Sequence, residues 1–289
     1  MNYPVKIILF MCFAFILFIG CNKNEPVKVG FLIHALDTER WENDKNFFVD
    51  KIQELGGQVD VRIAGNNAEK QLEQANELLS NGVDVLVIVP VDQYKAADIV
   101  KNAHQNDVRV ISYDRLIKNC ELDYYVSTDN VEIGRLQAEY LTAIKPTGNY
   151  ALIGGALRDN NSQFLYLGQM NVLQPMVDKG DIDIIYNEFT NEWEEEEGYA
   201  HTKKVLSLPV EVDAILAGND AIAMGAITAL EEAGREGEVL VAGMDANLKN
   251  LREIVAGHQT CTVYKPYDKL AATAAELAVK LGRREECER

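Results

Sequence analysis

The chain has 289 residues, enough for one large globular unit or two lobes of about 130 residues each. Hydrophobic residues make up 47% of it and charged residues 25%, with only 7 prolines, which excludes a disordered or collagen-like chain. The net charge of −17 is spread along the sequence. We therefore expect no nucleic-acid partner and no electrostatic adhesion to anionic lipid.

The N-terminus carries a short apolar run of 13 residues, 7–19, which follows Lys6 and stops before Gly20 and Cys21. The run is too short to span a bilayer and is typical of a secretory signal. The Gly-Cys junction resembles a bacterial lipoprotein signal. We expect residues 1–20 to be removed, lipid to be attached to the Cys21 thiol, and residues 21–26 to form a tether; the alternative is an uncleaved anchor. Either way the body lies outside the cytosol.

Three further cysteines, Cys120, Cys261 and Cys287, are widely spaced and form no CxxC motif. Three thiols cannot complete a disulfide framework, although one pair could form, and we expect buried free thiols. The four histidines show no ligand spacing either, so we predict no metal site and no cofactor.

From residue 27 onward, short β-branched runs alternate with segments of helical periodicity. The predicted strands are 27–34, 58–64, 83–90, 108–113, 124–128, 149–154, 182–189, 214–217, 239–242 and 261–264. The predicted helices are 41–55, 68–81, 94–106, 131–145, 163–179, 194–208, 221–233, 248–256 and 267–281. This alternation predicts an α/β fold of parallel sheets covered by helices on both faces.

Two segments of the first half are echoed in the second half. Residues 82–92 resemble 210–220, and residues 108–114 resemble 239–245. Each segment is a buried strand that ends at an aspartate; these residues are Asp92, Asp114, Asp220 and Asp245. Ligands of open parallel sheets bind beyond the carboxyl ends of the strands, so the repeat predicts two lobes that face each other across a cleft. The alternative for each single aspartate is a helix N-cap.

Polar and aromatic residues gather at the same strand ends. Carboxylates accept hydrogen bonds from hydroxyls, cations and amides donate them, and a flat indole covers an apolar C–H face. That mixture predicts a neutral, polyhydroxylated ring as ligand, although core packing is an alternative for the two tryptophans. The candidate residues are Arg40, Trp41, Asp114, Arg115, Asn160, Asn161, Trp193, Asn219, Asp245 and Lys265.

Several motifs are similar to those of the periplasmic D-xylose-binding proteins, members of the periplasmic binding protein type I (ribose/galactose-binding) superfamily. They are residues 39–41, 82–90, 112–115, 159–161, 168–170, 219–221, 245–246 and 262–266, and the likeness covers residues 27 to about 282. The resemblance implies two Rossmann-like lobes, joined by three crossing strands, that close on a pentose. Carried over residue by residue, it implies that the sugar contacts are Arg40, Trp41, Asp114, Arg115, Asn161, Trp193, Asn219, Asp245 and Lys265.

The same resemblance sets the expected lobes: residues 27–127 with 266–289 form the N-terminal lobe, and residues 128–265 form the C-terminal lobe. In the family the chain continues beyond the helix that corresponds to 267–281 and makes the third crossing. We expect that crossing to be missing here, as in a truncated or frameshifted gene.

These expectations describe a non-enzymatic, monomeric sugar receptor, most simply for D-xylose, that closes about a hinge. Its partners would be an ABC permease, a chemoreceptor or a sensor kinase, at a membrane reached through the lipid anchor. A glycoside hydrolase with paired aspartates, or a receptor for another pentose or hexose, is the alternative. A DNA-binding repressor would need a helix-turn-helix before residue 27, and a dinucleotide enzyme would need GxGxxG where only Gly154 and Gly155 occur.

Overall fold

The computed structural model describes residues 25–36 and 38–287. The signal, the Cys21 lipidation site and most of the tether predicted from the sequence lie outside these described residues. Within them, strands and helices alternate, except that the strands Arg109–Tyr113 and Tyr124–Val126 follow each other without a helix between them. No helix of this described part is both long and apolar enough to cross a membrane.

The first sheet holds five parallel strands in the order β2-β1-β3-β4-β5. The strands are β1 (Lys28–Ile33), β2 (Gln58–Ile63), β3 (Val85–Ile88), β4 (Arg109–Tyr113) and β5 (Tyr124–Val126). The helices between them are α1 (Glu39–Glu54), α2 (Ala68–Ser80) and α3 (Ala97–Gln105). All four residues of β3 are buried, because helices cover both faces of the sheet.

The second sheet is also parallel, in the order β10-β9-β8-β6-β7. Its strands are β6 (Gly148–Gly154), β7 (Ile182–Phe189), β8 (Ala214–Ala217), β9 (Leu240–Met244) and β10 (Cys261–Val263). The helices around it are α4 (Asn130–Ile144), α5 (Asn160–Lys179), α6 (Glu195–Leu206), α7 (Asp220–Glu232) and α8 (Leu248–Ala256). The prediction of two α/β lobes with parallel sheets is confirmed.

The last helix, α9 (Tyr267–Gly282), returns to the first sheet. Its small apolar side chains, such as Ala271 and Ala275, share a core with Phe31 and Phe48. The chain therefore passes between the sheets after β5 and again after β10, within the described residues. The lobe limits at residues 127/128 and 265/266, and the expected loss of a third crossing, stay predictions.

Two helix starts differ from the sequence prediction by three residues. Helix α5 begins at Asn160 rather than at residue 163, because the Asp159 carboxylate caps it by accepting a hydrogen bond from the Asn161 N–H at 2.9 Å. Helix α3 begins at Ala97 rather than at residue 94, because Asp92 holds the preceding residues in a turn. The capped start of α5 brings Asn161 into the first helical turn.

The three cysteines of the described residues, Cys120, Cys261 and Cys287, are free thiols. Each is half-buried, so the prediction of buried thiols is wrong. They lie at margins of the fold: one in the loop after β4, one at the start of the edge strand β10, and one after α9.

Candidate functional site

The predicted site residues line one narrow cavity between the two lobes. All nine residues predicted as sugar contacts line it, although contact with a ligand stays a prediction. Three further residues, Thr38, Asp159 and Met244, line it as well. Asn160 is buried beside the cavity, and its Oδ1 accepts a hydrogen bond from the Leu116 N–H at 2.6 Å.

The fold brings these residues together because parallel strands present their carboxyl ends at one edge of a sheet. Asp114 and Arg115 follow β4, Asn219 follows β8, and Asp245 follows β9. Met244 is the last residue of β9, and the remaining members of the cavity lie in the first turns of helices or in the connections before them. A larger open groove, lined by Asp84 and Arg109, lies at the opposite, amino-terminal strand ends of the first sheet and contains none of the predicted residues.

Asp114 is the centre of charge in the first lobe. Its Oδ1 accepts hydrogen bonds from Arg40 Nη2 at 2.6 Å and from Lys265 Nζ at 2.8 Å, and its Oδ2 accepts one from Asn161 Nδ2 at 3.0 Å. Burial by itself would raise the pKa of Asp114, but the two cations outweigh burial and hold this pKa well below its ordinary value. The carboxylate is therefore ionised throughout the physiological range.

The Arg40 guanidinium is held on three sides. Besides Asp114, its Nε lies 3.2 Å from Asp44 Oδ2, one helical turn further along α1. Its Nη1 lies 3.7 Å from Asp245 Oδ1 of the other lobe. Tyr113 donates a short hydrogen bond to Asp44, which completes this buried network. Arg40 thus reaches across the cavity from a position fixed within the first lobe.

Arg115 is fixed by residues that the sequence prediction did not include among the contacts. Its Nε forms an ion pair with Asp159 Oδ2 of the other lobe at 2.8 Å, and its Nη2 lies 3.1 Å from His34 Nε2. Burial raises the pKa of Asp159, and the Arg115 charge opposes that effect. In the sequence, Asp159 stands at the start of the Asp-Asn-Asn motif. That position indicates a helix cap and does not indicate an ion pair with Arg115.

Trp193 forms a wall of the cavity in the second lobe. A Cβ atom built on Gly155 would lie 2.2 Å from the Trp193 ring, so only glycine permits this close approach. Asn219 donates to the Trp193 carbonyl oxygen at 3.3 Å and caps α7 by accepting from the Ile222 N–H at 2.9 Å. Both Trp193 and Asn219 are therefore fixed by the backbone of their own lobe.

Asp245 follows β9 with a φ of 108°, which is rare for a residue other than glycine. Its Oδ1 receives no hydrogen bond from the described residues. Burial raises the pKa of Asp245, and the charges of Arg40 and Lys265 only partly oppose this effect. Asp245 is thus an acceptor in the cavity wall that a donor on a ligand could use.

The charges of the cavity lining balance. Three cations face three carboxylates: Arg40, Arg115 and Lys265, with Asp114, Asp159 and Asp245. An anionic ligand would need surplus positive charge, whereas a neutral polyol can use both the donors and the acceptors. Trp41 and Trp193 supply flat apolar faces. No group of potential metal ligands occurs in the described residues, and the prediction of no metal stays a prediction.

This fold and cavity define a two-lobed solute-binding protein whose site lies between the lobes. The model of the family described as "Periplasmic binding protein domain" matches residues 29–286. The chain belongs to this family, in its type I branch.

The chain is similar to proteins of the D-xylose group, as the sequence motifs indicated. It is 41% identical over 282 residues to the D-xylose-binding periplasmic protein of Escherichia coli K12, covering 97% of this chain and 86% of the relative. It is 40% identical over 276 residues to the protein of the same name from Haemophilus influenzae, covering 95% and 83%. The resemblance to D-xylose-binding proteins is therefore confirmed.

Solved structures agree with this assignment. A carbohydrate transporter solute-binding protein from Chloroflexus aurantiacus, in complex with D-glucose, superposes with a TM-score of 0.86 at 29% identity, covering 91% of this chain and 86% of that one. An ABC transporter solute-binding protein from Clostridium phytofermentans with bound β-D-glucose gives a TM-score of 0.82 at 26% identity, covering 91% and 86%. A sugar-binding role in transport is thus supported by sequence and by fold.

Proposed function

We propose that this protein is an extracytoplasmic receptor that binds one monosaccharide, with D-xylose favoured, between its lobes and does not transform it. The observation that carries the proposal is the single cavity in which three cations balance three carboxylates beside two indole rings. Such a lining suits a neutral sugar. The choice of D-xylose is supported by the names of the two relatives at 40–41% identity.

Binding would favour the closed arrangement of the lobes, because only there do both lobes touch the sugar. Direct contacts between the lobes support this reading. Asp114 accepts from Asn161 of the other lobe, and the Gln93 N–H donates to the Arg158 carbonyl at 3.1 Å. The sugar would shift the equilibrium between open and closed states by its differential affinity for them.

A glycoside hydrolase would need a carboxylic acid that can donate a proton to the leaving group. Asp114 does not suit that role, because Arg40 and Lys265 keep it ionised. Burial raises the pKa of Asp245, as the acid would need. The facing carboxylate, Asp114, does not suit a nucleophile or base, because both of its oxygens already accept hydrogen bonds from protein side chains. We therefore expect no turnover of an aryl xyloside; turnover that depends on Asp245 would favour the hydrolase instead.

Calorimetric titration with D-xylose, D-ribose, D-galactose and D-glucose tests the receptor proposal. We expect D-xylose to bind with a Kd of about 1 μM. D-Glucuronate is the matched probe for charge, since it keeps the pyranose ring of D-glucose and carries a carboxylate in place of its CH₂OH group; it should bind far more weakly than D-glucose. The absence of heat with all four sugars would contradict the receptor proposal, and binding of a hexose alone would replace D-xylose as the ligand.

We also propose that the protein is held at the membrane by lipid on Cys21 and acts as a monomer. There it would present its sugar to an ABC permease, a chemoreceptor or a sensor kinase. The support is the Gly20-Cys21 junction after the apolar run in the sequence. Expression of the full chain and of Cys21→Ser, followed by membrane fractionation, tests the anchor. Because an uncleaved apolar run would also keep Cys21→Ser in the membrane fraction, the intact mass of the wild-type protein decides: a chain that retains residues 1–20, or that carries no lipid, would contradict lipidation at Cys21.

A further inference from the structure

The matched strand-end aspartates Asp92 and Asp220 have different roles in the two lobes. Asp92 is half-buried, and its Oδ1 accepts from the N–H groups of Tyr94 and Lys95 at 2.8 and 2.9 Å, within its own segment. Asp220 is fully buried, and the cap of its helix is the neighbouring Asn219. The bonds within its own segment therefore account for the Asp92 carboxylate, whereas capping does not account for the carboxylate of Asp220.

The Asp220 carboxylate points to the turn that follows β9. Its Oδ2 accepts from the Asn247 N–H at 2.8 Å, and its Oδ1 accepts from Gln259 Nε2 at 3.2 Å. A Cβ atom on Gly243 would lie 2.2 Å from Asp220 Oδ1, so the carboxylate packs directly against the strand end. Asp220 thus contacts the chain on both sides of Asp245.

This turn, residues 245–247, has an unfavourable backbone conformation. Asp245 and Ala246 have φ values of 108° and 57°, although neither is glycine. Such conformations persist where surrounding contacts impose them, and they concentrate at ligand sites. The contacts here are the bond from Asn247 to Asp220 and a bond from the Ala246 N–H to Thr262 Oγ1 at 3.2 Å.

We propose that Asp220 is a positioning residue for sugar binding: its carboxylate fixes the 245–247 turn so that Asp245 faces the cavity. The proposal rests on the proposed function, because it assigns a supporting residue to the same site. Asp220 itself does not line the cavity and acts through Asp245.

The surroundings of Asp220 raise its pKa into the range near neutral pH. Burial, followed by the charge of Asp245, raises the pKa of Asp220 to about 7, against the hydrogen bonds from Asn247, Thr262 and Gln259. The Cys261 thiol lies near Asp220, and its pKa is raised to about 12, so that it stays neutral. No lysine or arginine of the described chain forms an ion pair with Asp220.

The direction of the pH effect follows from the hydrogen bonds. An ionised carboxylate accepts more strongly from an N–H than a neutral carboxyl group does. Above its pKa Asp220 therefore holds the turn firmly, and below it the turn is held more loosely. We expect sugar affinity to fall as the pH decreases from 8 to 6, by about threefold to tenfold.

Asp220→Asn tests this role, since it keeps the side-chain shape and removes the charge. With D-xylose as the probe, we expect the variant to bind about fivefold to tenfold more weakly at pH 8 and to show no pH dependence between 6 and 8. In the sugar-free protein, the Asn247 amide should exchange with solvent about tenfold faster than in the wild type. A variant with wild-type affinity and the wild-type pH slope would overturn the proposal.

Thr262→Val is a second, nearly isosteric variant that removes the hydroxyl bonded to the Ala246 N–H and to Asp220. It should weaken binding and move the midpoint of the pH dependence upward, because a bond that lowers the Asp220 pKa is lost. Asp92→Asn is the matched control from the other lobe, and it should change neither affinity nor slope. An upward shift in Asp92→Asn as well would overturn the assignment to Asp220.

Failure of sugar binding and failure of the Asp220 positioning role give different results. If the wild-type protein binds none of the sugars, the proposed function fails. Amide exchange at Asn247 needs no sugar and still decides whether Asp220 holds the turn. Unchanged exchange in Asp220→Asn would overturn the positioning role even if D-xylose binds as expected.

Discussion

The two halves of the cavity differ in how far their charges are satisfied within the protein. In the first lobe, Asp114 accepts hydrogen bonds from Arg40, Lys265 and Asn161. In the second lobe, Asp245 has only the Arg40 guanidinium at 3.7 Å, and its Oδ1 accepts no hydrogen bond from the described residues. Accordingly the pKa is lowered for Asp114 and raised for Asp245.

This difference indicates that the two halves of the cavity have different roles in binding. The network around Asp114 in the first lobe is already paired, because Arg40 of its own lobe donates to it, as do Asn161 and Lys265 from the second lobe. The second lobe carries Asp245, an acceptor on an unfavourable turn, and Trp193, whose indole packs against Gly155. We expect these two side chains to make new contacts with a bound ligand. Loss of the network should therefore affect binding more than loss of one wall of the second lobe.

The largest expected effect is that of Asp114→Asn, which breaks the first-lobe network. The change leaves Arg40 and Lys265 buried without their common carboxylate. We expect the Kd for D-xylose to increase by about 100-fold or more, since removing one partner of a buried ion pair is strongly unfavourable.

Calorimetry measures this Kd, and thermal unfolding without sugar shows whether the variant is folded. Asp92→Asn, outside the cavity, is the matched control. A loss below about tenfold would show that the first-lobe network is not the dominant part of the site.

An intermediate effect is expected for Gly155→Ala, which changes the wall of the second lobe without removing a polar group. The added Cβ would displace the Trp193 ring, because it would lie 2.2 Å from it. We expect affinity to fall about tenfold, the order of magnitude of an aromatic contact. In a Trp193→Ala background the same change should have little further effect. Equal losses in both backgrounds would contradict an action through Trp193.

The smallest effect is expected for Gln93→Ala, which weakens contact between the lobes away from the sugar. Gln93 Nε2 donates to the Leu157 carbonyl of the second lobe at 3.0 Å. Loss of this bond should disfavour the closed state and weaken every sugar by the same factor of about threefold to fivefold. Titration with D-xylose and D-ribose measures the factor for each. A change in the ratio of their affinities would assign Gln93 to sugar selection instead.

Much of this architecture could be predicted from the sequence. The alternation of β-branched runs and helical periodicity gave the order of the elements, and the aspartates at strand ends indicated where the cleft residues would meet. All nine predicted contacts line one cavity for that reason. Helix boundaries were less certain at α3, where Asp92 holds the preceding residues in a turn, and at α5, where Asp159 caps the first turn.

The pairing inside the site could not be predicted. Asp159 is a helix cap by its sequence position, yet it forms the ion pair with Arg115 across the lobes. Asp44 looks like an ordinary helix residue, yet it is fully buried against Arg40. The spacing of Arg40 and Asp44 permits a pair on one helical face, but it does not predict that the pair is buried. Sequence spacing carries no information on the Arg115–Asp159 pair, because that contact depends on how the two lobes meet.

The sequence by itself determined the kind of protein: two α/β lobes with acids, cations and indoles at the facing strand ends. Only the tertiary structure decided which acid is ionised, which holds a turn and which is free to meet a ligand. The reason is physical, since a pKa depends on burial and on charges within a few ångströms. For Asp114 those charges come from Arg40 and Lys265, which are 74 and 151 residues away in the chain.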